Sequence, residues 1–248
     1  MSKRARRIKA EEQIDTSKEK PERSKTKLNI QHIIKPVKIE FKTRAQEEFW
    51  NIIGDHEITL CSGPAGTGKS YLSIARALHL LYEKGNKYEK IVICKPVVEA
   101  DEKLGYLPGS VEEKLDPYIY SSKYIIEKII GREKYEALIK NGILEYRALA
   151  YMRGINIDNT ILVAEEMQNT TKKQMKTLLT RIGEDSKFIL SGDFEQSDRH
   201  TDYKQSGLFL AMEKLEFLDG IGTLEFEQTD IIRNPIIGKI LQRLNGDV

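Results

Sequence analysis

Eight consecutive residues, Gly63-Pro64-Ala65-Gly66-Thr67-Gly68-Lys69-Ser70, satisfy the pattern G-x-x-x-x-G-K-[ST] without a mismatch. The chemistry behind that spacing is the grip of a polyphosphate by main-chain groups. Successive backbone N–H groups must come close to phosphate oxygens, which demands residues free of Cβ and able to take positive φ. A helix that begins where the run ends adds the positive end of its dipole. In such a turn Lys69 reaches the β- and γ-phosphates, and the Ser70 hydroxyl is offered to Mg²⁺. All eight residues are therefore candidate ATP ligands.

A Mg²⁺–ATP site also needs carboxylates at the end of a neighbouring strand. The run TILVAEE places Glu165 and Glu166 directly after four apolar residues. The usual division gives the first to the metal's shell and the second to the attacking water. A third apolar run, FILSGDFEQ, ends in Asp193 and Gln196, and an uncharged amide there can both donate to and accept from a water. Arg233, in TDIIRNP, has the charge to neutralise a phosphoryl transition state.

These residues need elements to hold them. EITLCSGPAGTGKSYLSIARALHLLYEKG reads as a strand, a glycine-rich turn and a helix, with Tyr71, Ile74, Ala75, Leu78, Leu81 and Tyr82 at helical spacing and Gly85 as its stop. FKTRAQEEFWNII predicts a short helix ahead of it. Further strand-like runs are 91–96, 143–149, 160–166, 188–192 and 222–227. Thr171 with Gln174 signals a capping box before Met175, Leu178, Leu179 and Ile182. Leu208, Ala211, Met212, Leu215 and Leu218 repeat the helical pattern. Short apolar strands alternating with helices imply an α/β fold with a parallel sheet covered on both faces. Residues 99–142 break the alternation, being too long for a plain crossover, and read as an insertion with its own helices.

With 248 residues the chain suffices for one α/β domain, whereas a two-lobed motor needs about twice that length. Mean hydropathy of -0.47 and the absence of an apolar run near 18 residues argue against a spanning helix. The basic start lacks an apolar stretch behind it, unlike a secretory signal. Two cysteines with no Cys/His cluster point to a reducing, cytoplasmic setting without structural zinc. Residues 1–40 hold 12 Lys/Arg and 6 Asp/Glu, and the remainder hold 28 and 32. A basic arm, expected to be disordered, thus precedes a mildly acidic body over 41–248, and serves either as a nucleic-acid tether or as a solubilising tail.

Taken together, KTRAQ, GPAGTGKS, KPVVEADEKLGYLPGSVEEKLDPY, ALAYMRG with Arg153, AEEMQNTTKKQMKTLLTRIG, SGDFEQSD and DIIRNP resemble the PhoH family. These are P-loop ATPases related to the core of superfamily 1 helicases. The resemblance runs from about Lys42 to Leu241, and its stretch through 95–118 is the most discriminating. It implies a single RecA-like domain that hydrolyses ATP with Mg²⁺. It also implies Gln46 at the adenine, Glu165 at the metal with Ser70, and Glu166 as the catalytic carboxylate. Gln196 becomes the sensor, and Arg181 or Arg233 an arginine finger supplied by a neighbouring subunit. Two positions depart from the family's pattern: Glu165 stands where aspartate is usual, and Lys95 where arginine is common.

One lobe per chain implies that a second copy completes the site, most simply in a hexameric ring. Tyr106, Tyr118, Tyr120 and Tyr124, interleaved with Lys103, Lys114 and Lys123, could stack and neutralise single-stranded RNA or DNA, or pack against the core. Two other functions compete with a nucleic-acid-coupled ATPase. One is a small-molecule phosphotransferase, which needs an arginine-rich lid, whereas 99–142 contains only Arg132. The other is a regulatory ATP-binding module with weak turnover.

Overall fold

The computed structural model of the chain describes residues 30–84, 87–96, 111–199, 202–232 and 243, with 111–118 described by helical backbone alone. Most of the basic arm, Gly85, Lys103, Tyr106, Arg233 and the side chains of Lys114 and Tyr118 lie outside the described residues. In chain order the elements are α1 (Ile30–Ile33), α2 (Arg44–Asp55), β1 (Ile58–Ser62), α3 (Lys69–Glu83), β2 (Lys90–Lys95), α4 (Val111–Ile130) and α5 (Arg132–Lys140). There follow β3 (Leu144–Ala148), β4 (Thr160–Ala164), α6 (Lys172–Leu179), β5 (Lys187–Gly192), α7 (Gly207–Leu215) and β6 (Ile221–Glu225).

The six strands form one sheet in the order β3-β2-β4-β5-β1-β6, with every pairing parallel. β1, β4 and β5 are buried along their whole length, which is why their sequences read as unbroken apolar runs rather than alternations. Successive side chains still part to opposite faces. Cys61, Ile91, Ile93, Ile161, Val163 and Ile189 pack with Phe49 of α2, Leu78 of α3, Ile126 of α4 and Leu138 of α5. Leu60, Val92, Leu162, Ala164, Phe188 and Leu190 pack with Met175 and Leu178 of α6 and with Leu208 and Ala211 of α7. Helices thus cover both faces, as the alternation predicts.

Helix starts follow the sequence closely. Thr43 caps α2 by accepting from the Gln46 N–H, and Thr171 and Gln174 make the full capping box of α6. The end of α7 departs from expectation. Leu218 belongs to the apolar repeat, yet the helix stops at Leu215 and Leu218 is exposed. Phe217 takes a left-handed backbone (φ 64) and the Ile221 N–H bonds the Leu218 carbonyl, so this stretch is the turn that feeds β6.

One long-range contact fastens α2 to the sheet. Lys187, the first residue of β5, donates to the carbonyls of Ile53 (2.5 Å), Gly54 (3.4 Å) and His56 at the helix's C-terminal end. Burial, with Lys84, Arg76 and Lys87 nearby, lowers its amine from 10.5 to about 8. Because the unfolded chain keeps that proton to higher pH, this group adds to native stability as pH rises above about 8. Lys187→Met is expected to lower stability by about 1–3 kcal/mol through the carbonyls left without a donor. Urea unfolding at pH 7 and pH 9 should show the deficit growing at the higher pH.

Candidate nucleotide-binding site

Parallel strands bring all their C-terminal ends to one edge of the sheet, and the loops leaving that edge surround an open cavity of about 310 Å³. Its walls are Ala65, Gly66 and Gly68 of the glycine-rich loop, Lys69 to Tyr71 of α3, Glu166 after β4, Ser191 to Asp193 at the end of β5, and Gln196. Sequence spacing alone assigned most of these residues to one ligand, and the fold brings them round one space.

The loop's shape comes from its glycines. Gly63 has φ 145, and a Cβ there would lie 2.6 Å from the Cβ of Phe226. Gly68 has φ 94 and is the N-cap of α3, a cap that supplies no side-chain acceptor to the helix. The cap residue itself therefore offers the first turn of α3 no side-chain acceptor. Lys69 turns its ammonium back onto the carbonyls of Gly63 (2.6 Å) and Pro64 (2.8 Å), while the Thr67 hydroxyl donates to Pro64 (3.1 Å). Gln46 lies beneath the loop. It donates to the Thr67 carbonyl (2.8 Å) and accepts from the Lys42 N–H (2.8 Å), tying α2 to the turn. The Ile232 N–H donates to the Gly66 carbonyl (2.9 Å), so the residue before Arg233 sits against the loop.

The acidic wall has a different origin. Glu166 is exposed and takes a left-handed backbone (φ 57, ψ 32), strained for a residue with a side chain. Gln168, which sequence reasoning quoted but gave no role, joins the strand ends. Its amide nitrogen donates to Glu166 Oε2 (2.8 Å) and to the Gln196 carbonyl (3.1 Å), and its oxygen accepts from the Asp193 N–H (3.1 Å). Asn169 and Asp198 exchange a second pair of bonds between the same loops. Asp193 caps the turn 194–196 through one oxygen, while its other, Oδ2, is buried without a hydrogen-bond partner. That orphaned carboxylate oxygen, with the Ser70 and Ser191 hydroxyls in the same cavity wall, suits a hard, oxygen-seeking cation. Among the described residues no three His, Cys, Asp or Glu side chains converge on a metal site.

Three expected residues are placed apart from the cavity. Glu165 is 2% exposed and is held by Ser122 and Lys95 instead. Arg181 follows α6, and its carbonyl accepts from Ile157 just ahead of β4, at the sheet edge away from the loop. Gln46 is engaged by backbone on both polar atoms. Tyr71 and Ser191 were not singled out as ligands, and the polar end of FILSG was the available signal for Ser191. Burial pushes the Cys61 thiol up and raises that of Cys94 to about 12, which keeps both as protonated thiols at neutral pH. A larger groove of about 910 Å³ runs between α2, α7 and β6, but its described lining carries seven carboxylates against Arg44 alone. That field repels a polyphosphate.

The sequence profile described as "PhoH-like protein" matches residues 38–245. The chain belongs to the PhoH family. It is 42% identical over 204 residues to a PhoH-like protein of Bacillus subtilis (strain 168), an alignment covering 82% of this chain and 63% of that one. It is 34% identical over 229 residues to one from Synechocystis sp. (strain ATCC 27184 / PCC 6803 / Kazusa), covering 92% and 69%. A solved structure of Pif1 helicase from Candida albicans is similar at a TM-score of 0.42 and 16% identity, over 84% of this chain and 44% of that one. The chain spans 56–69% of the length of the curated relatives named PhoH-like protein or protein PhoH that it matches. In this member of the family the G-x-x-x-x-G-K-[ST] loop joins β1 to α3 at the edge of a six-stranded parallel α/β sheet. Among the described residues no helix is long and apolar enough to cross a membrane.

The strain at residue 166 and the bridge at residue 168 have opposite signatures. Glu166→Gly relieves the left-handed backbone and is expected to keep stability or raise it by up to about 1 kcal/mol. Gln168→Leu leaves the buried Asp193 N–H without its acceptor and is expected to cost about 1–3 kcal/mol. Urea unfolding of the two variants beside wild type checks both.

Proposed function

We infer that the chain binds ATP with Mg²⁺, hydrolyses it, and couples hydrolysis to binding or remodelling single-stranded RNA or DNA. The observation that carries the nucleotide part is the N-terminal end of α3, whose N-cap Gly68 has no side chain to cap it, beside the cavity lined by Lys69, Ser70 and Glu166. Phosphate oxygens complete that helix end, and the Lys69 ammonium leaves the Gly63 and Pro64 carbonyls for the β- and γ-phosphates. Ser70 and Asp193 supply oxygens towards Mg²⁺, which when bound neutralises charge building on the phosphates. Glu166 lies across the cavity from the loop and takes the proton of the attacking water. Gln196 beside it orients that water and senses the γ-phosphate. For Gln46 to read the adenine, its bonds to the Thr67 carbonyl and the Lys42 N–H must open.

Arg233 follows the residue bonded to Gly66, and Arg181 lies at the far edge of the sheet. An arginine finger at 181 therefore serves the site of an adjacent subunit, in keeping with a hexameric ring. The nucleic-acid part rests on α4, where Tyr120 (72% exposed) and Tyr124 (59%) share a stripe with Lys123. Tyr151 and Arg153 are exposed beyond β3. Stacking on such tyrosines holds bases without reading their sequence. The phosphotransferase alternative finds little support. Arg132, the lone arginine of 99–142, pairs with Glu136 at 2.9 Å on the surface.

Phosphate release with and without single-stranded oligonucleotides tests this reading. Lys69→Ala is expected to lower turnover about 100-fold or more, and Glu166→Gln to keep nucleotide binding while losing turnover. Tyr120→Ala with Tyr124→Ala is expected to abolish stimulation by oligonucleotides and spare the basal rate. A basal rate indifferent to RNA and DNA removes the nucleic-acid part. No phosphate release from wild type removes the hydrolase.

A further inference from the structure

Glu165 does not line the nucleotide cavity, although it is the residue before Glu166 and its sheet face is that of α3. The side chains of Ile161 and Val163 on β4 and of Ile91 and Ile93 on β2 all pack in the α3–α4 core, so Glu165 and Lys95 continue that face at the strands' ends. There the Ser122 hydroxyl of α4 donates to Glu165 Oε2 at 2.5 Å, and the Lys95 ammonium lies 3.4 Å from the same oxygen. Lys95 also donates to Ser121 at 2.8 Å. Ser122 is fully buried and the Glu165 side chain almost so. A buried carboxylate with a hydroxyl bond and a cation beside it is held firmly, because leaving Lys95 strands a buried charge and leaving Ser122 strands a buried hydroxyl. The helix that holds it is the one that carries the exposed tyrosines.

We propose that Lys95 and Ser122 form a latch that holds Glu165 on α4 and away from the nucleotide cavity, and that Glu165 is released when Mg²⁺–nucleotide binds. This rests on the nucleotide reading above. Glu165 directly precedes Glu166 of the cavity wall, and the lysine–serine pair stabilises the position seen here. The metal favours one arrangement of Glu165 and the latch favours the other, so metal occupancy and the seating of α4 are linked through a single side chain. Lys95 and Ser122 are positioning residues, acting through Glu165 rather than on the nucleotide.

Linkage fixes the sign of each variant. Titration of a fluorescent ATP analogue in EDTA and then with rising Mg²⁺ gives the Mg²⁺ midpoint. Ser122→Ala and Lys95→Met, which loosen the latch, are expected to lower that midpoint about fivefold or more. Lys95→Arg, which grips a carboxylate through two bonds, is expected to raise it. Affinity in EDTA stays at the wild-type value in all three. Opposite shifts from two substitutions at one position do not arise from general destabilisation.

A second readout follows α4 itself. The two native cysteines are buried with raised thiol pKa values, so an environment-sensitive dye placed on Lys128→Cys labels one exposed site on that helix. Adding Mg²⁺ to the nucleotide complex is expected to change the dye's emission, and Glu165→Gln is expected to remove that change. Unaltered Mg²⁺ midpoints in a wild type and variants that all bind nucleotide overturn the latch alone. A midpoint raised by Ser122→Ala overturns it too, since Ser122 then prepares Glu165 for the metal. A wild type that binds no nucleotide overturns both the latch and the site reading.

Discussion

A helix N-terminus whose cap residue is a glycine without a side chain, set at the C-terminal edge of a parallel sheet, is the constraint from which the rest of the molecule follows. The first N–H groups of any helix need acceptors. Here the residue at the cap is Gly68, which offers none, and the turn before it is folded by glycines into a shape that a Cβ would obstruct. β1 is locked between β5 and β6 with every residue buried, so the turn leaving it is held at a fixed place. Phe226, packed edge-on against Phe49 with ring centroids 5.5 Å apart, closes over Gly63 from the β6 side. Gln46 supports the turn from α2. A rigid scaffold thus surrounds a main-chain surface suited to a polyphosphate, and Lys69 folded onto the loop's own carbonyls keeps a cation at its mouth.

Across the cavity the acidic wall is organised by hydrogen bonds rather than by packing. Gln168 joins the loops after β4 and β5, which fixes the relative positions of Glu166, Asp193 and Gln196. The left-handed backbone at Glu166 turns its side chain into the cavity while Glu165 stays on the α3 face. Two adjacent carboxylates thereby acquire separate surroundings, one exposed at the site and one buried against α4. On the reading argued above, the first works on water and the second answers to the metal and the insertion helix.

Much of this was legible in the sequence. The glycine-rich run was readable because its residue types are dictated by backbone geometry, which is local. β1, β4 and β5 were readable because strands buried on both faces must be continuously apolar, whereas the partly buried edge strands β3 and β6 were readable as shorter mixed runs. The capping box at Thr171 and Gln174 was readable for the same local reason. What escaped were contacts between residues far apart in the chain: Lys187 on the end of α2, Gln46 under the turn, and Ser122 against Glu165. Gln168 was visible as part of a motif, but its role required knowing that the ends of β4 and β5 are neighbours. Arg181 was a finger candidate through the family resemblance, and only the topology shows it at the opposite edge of its own sheet. Leu218 kept helical spacing yet fell in a turn, because the chain had to reverse into β6.

The central claim is that main-chain amides of residues 63–70 grip a nucleotide's phosphates with Mg²⁺. Hydrogen exchange of those amides, followed with and without Mg²⁺ and a nonhydrolysable ATP analogue, addresses it most directly. The account predicts strong slowing at Gly66 to Ser70 when the analogue is present, with far smaller changes in the acidic groove between α2, α7 and β6. Unchanged exchange through the loop at saturating analogue would contradict it.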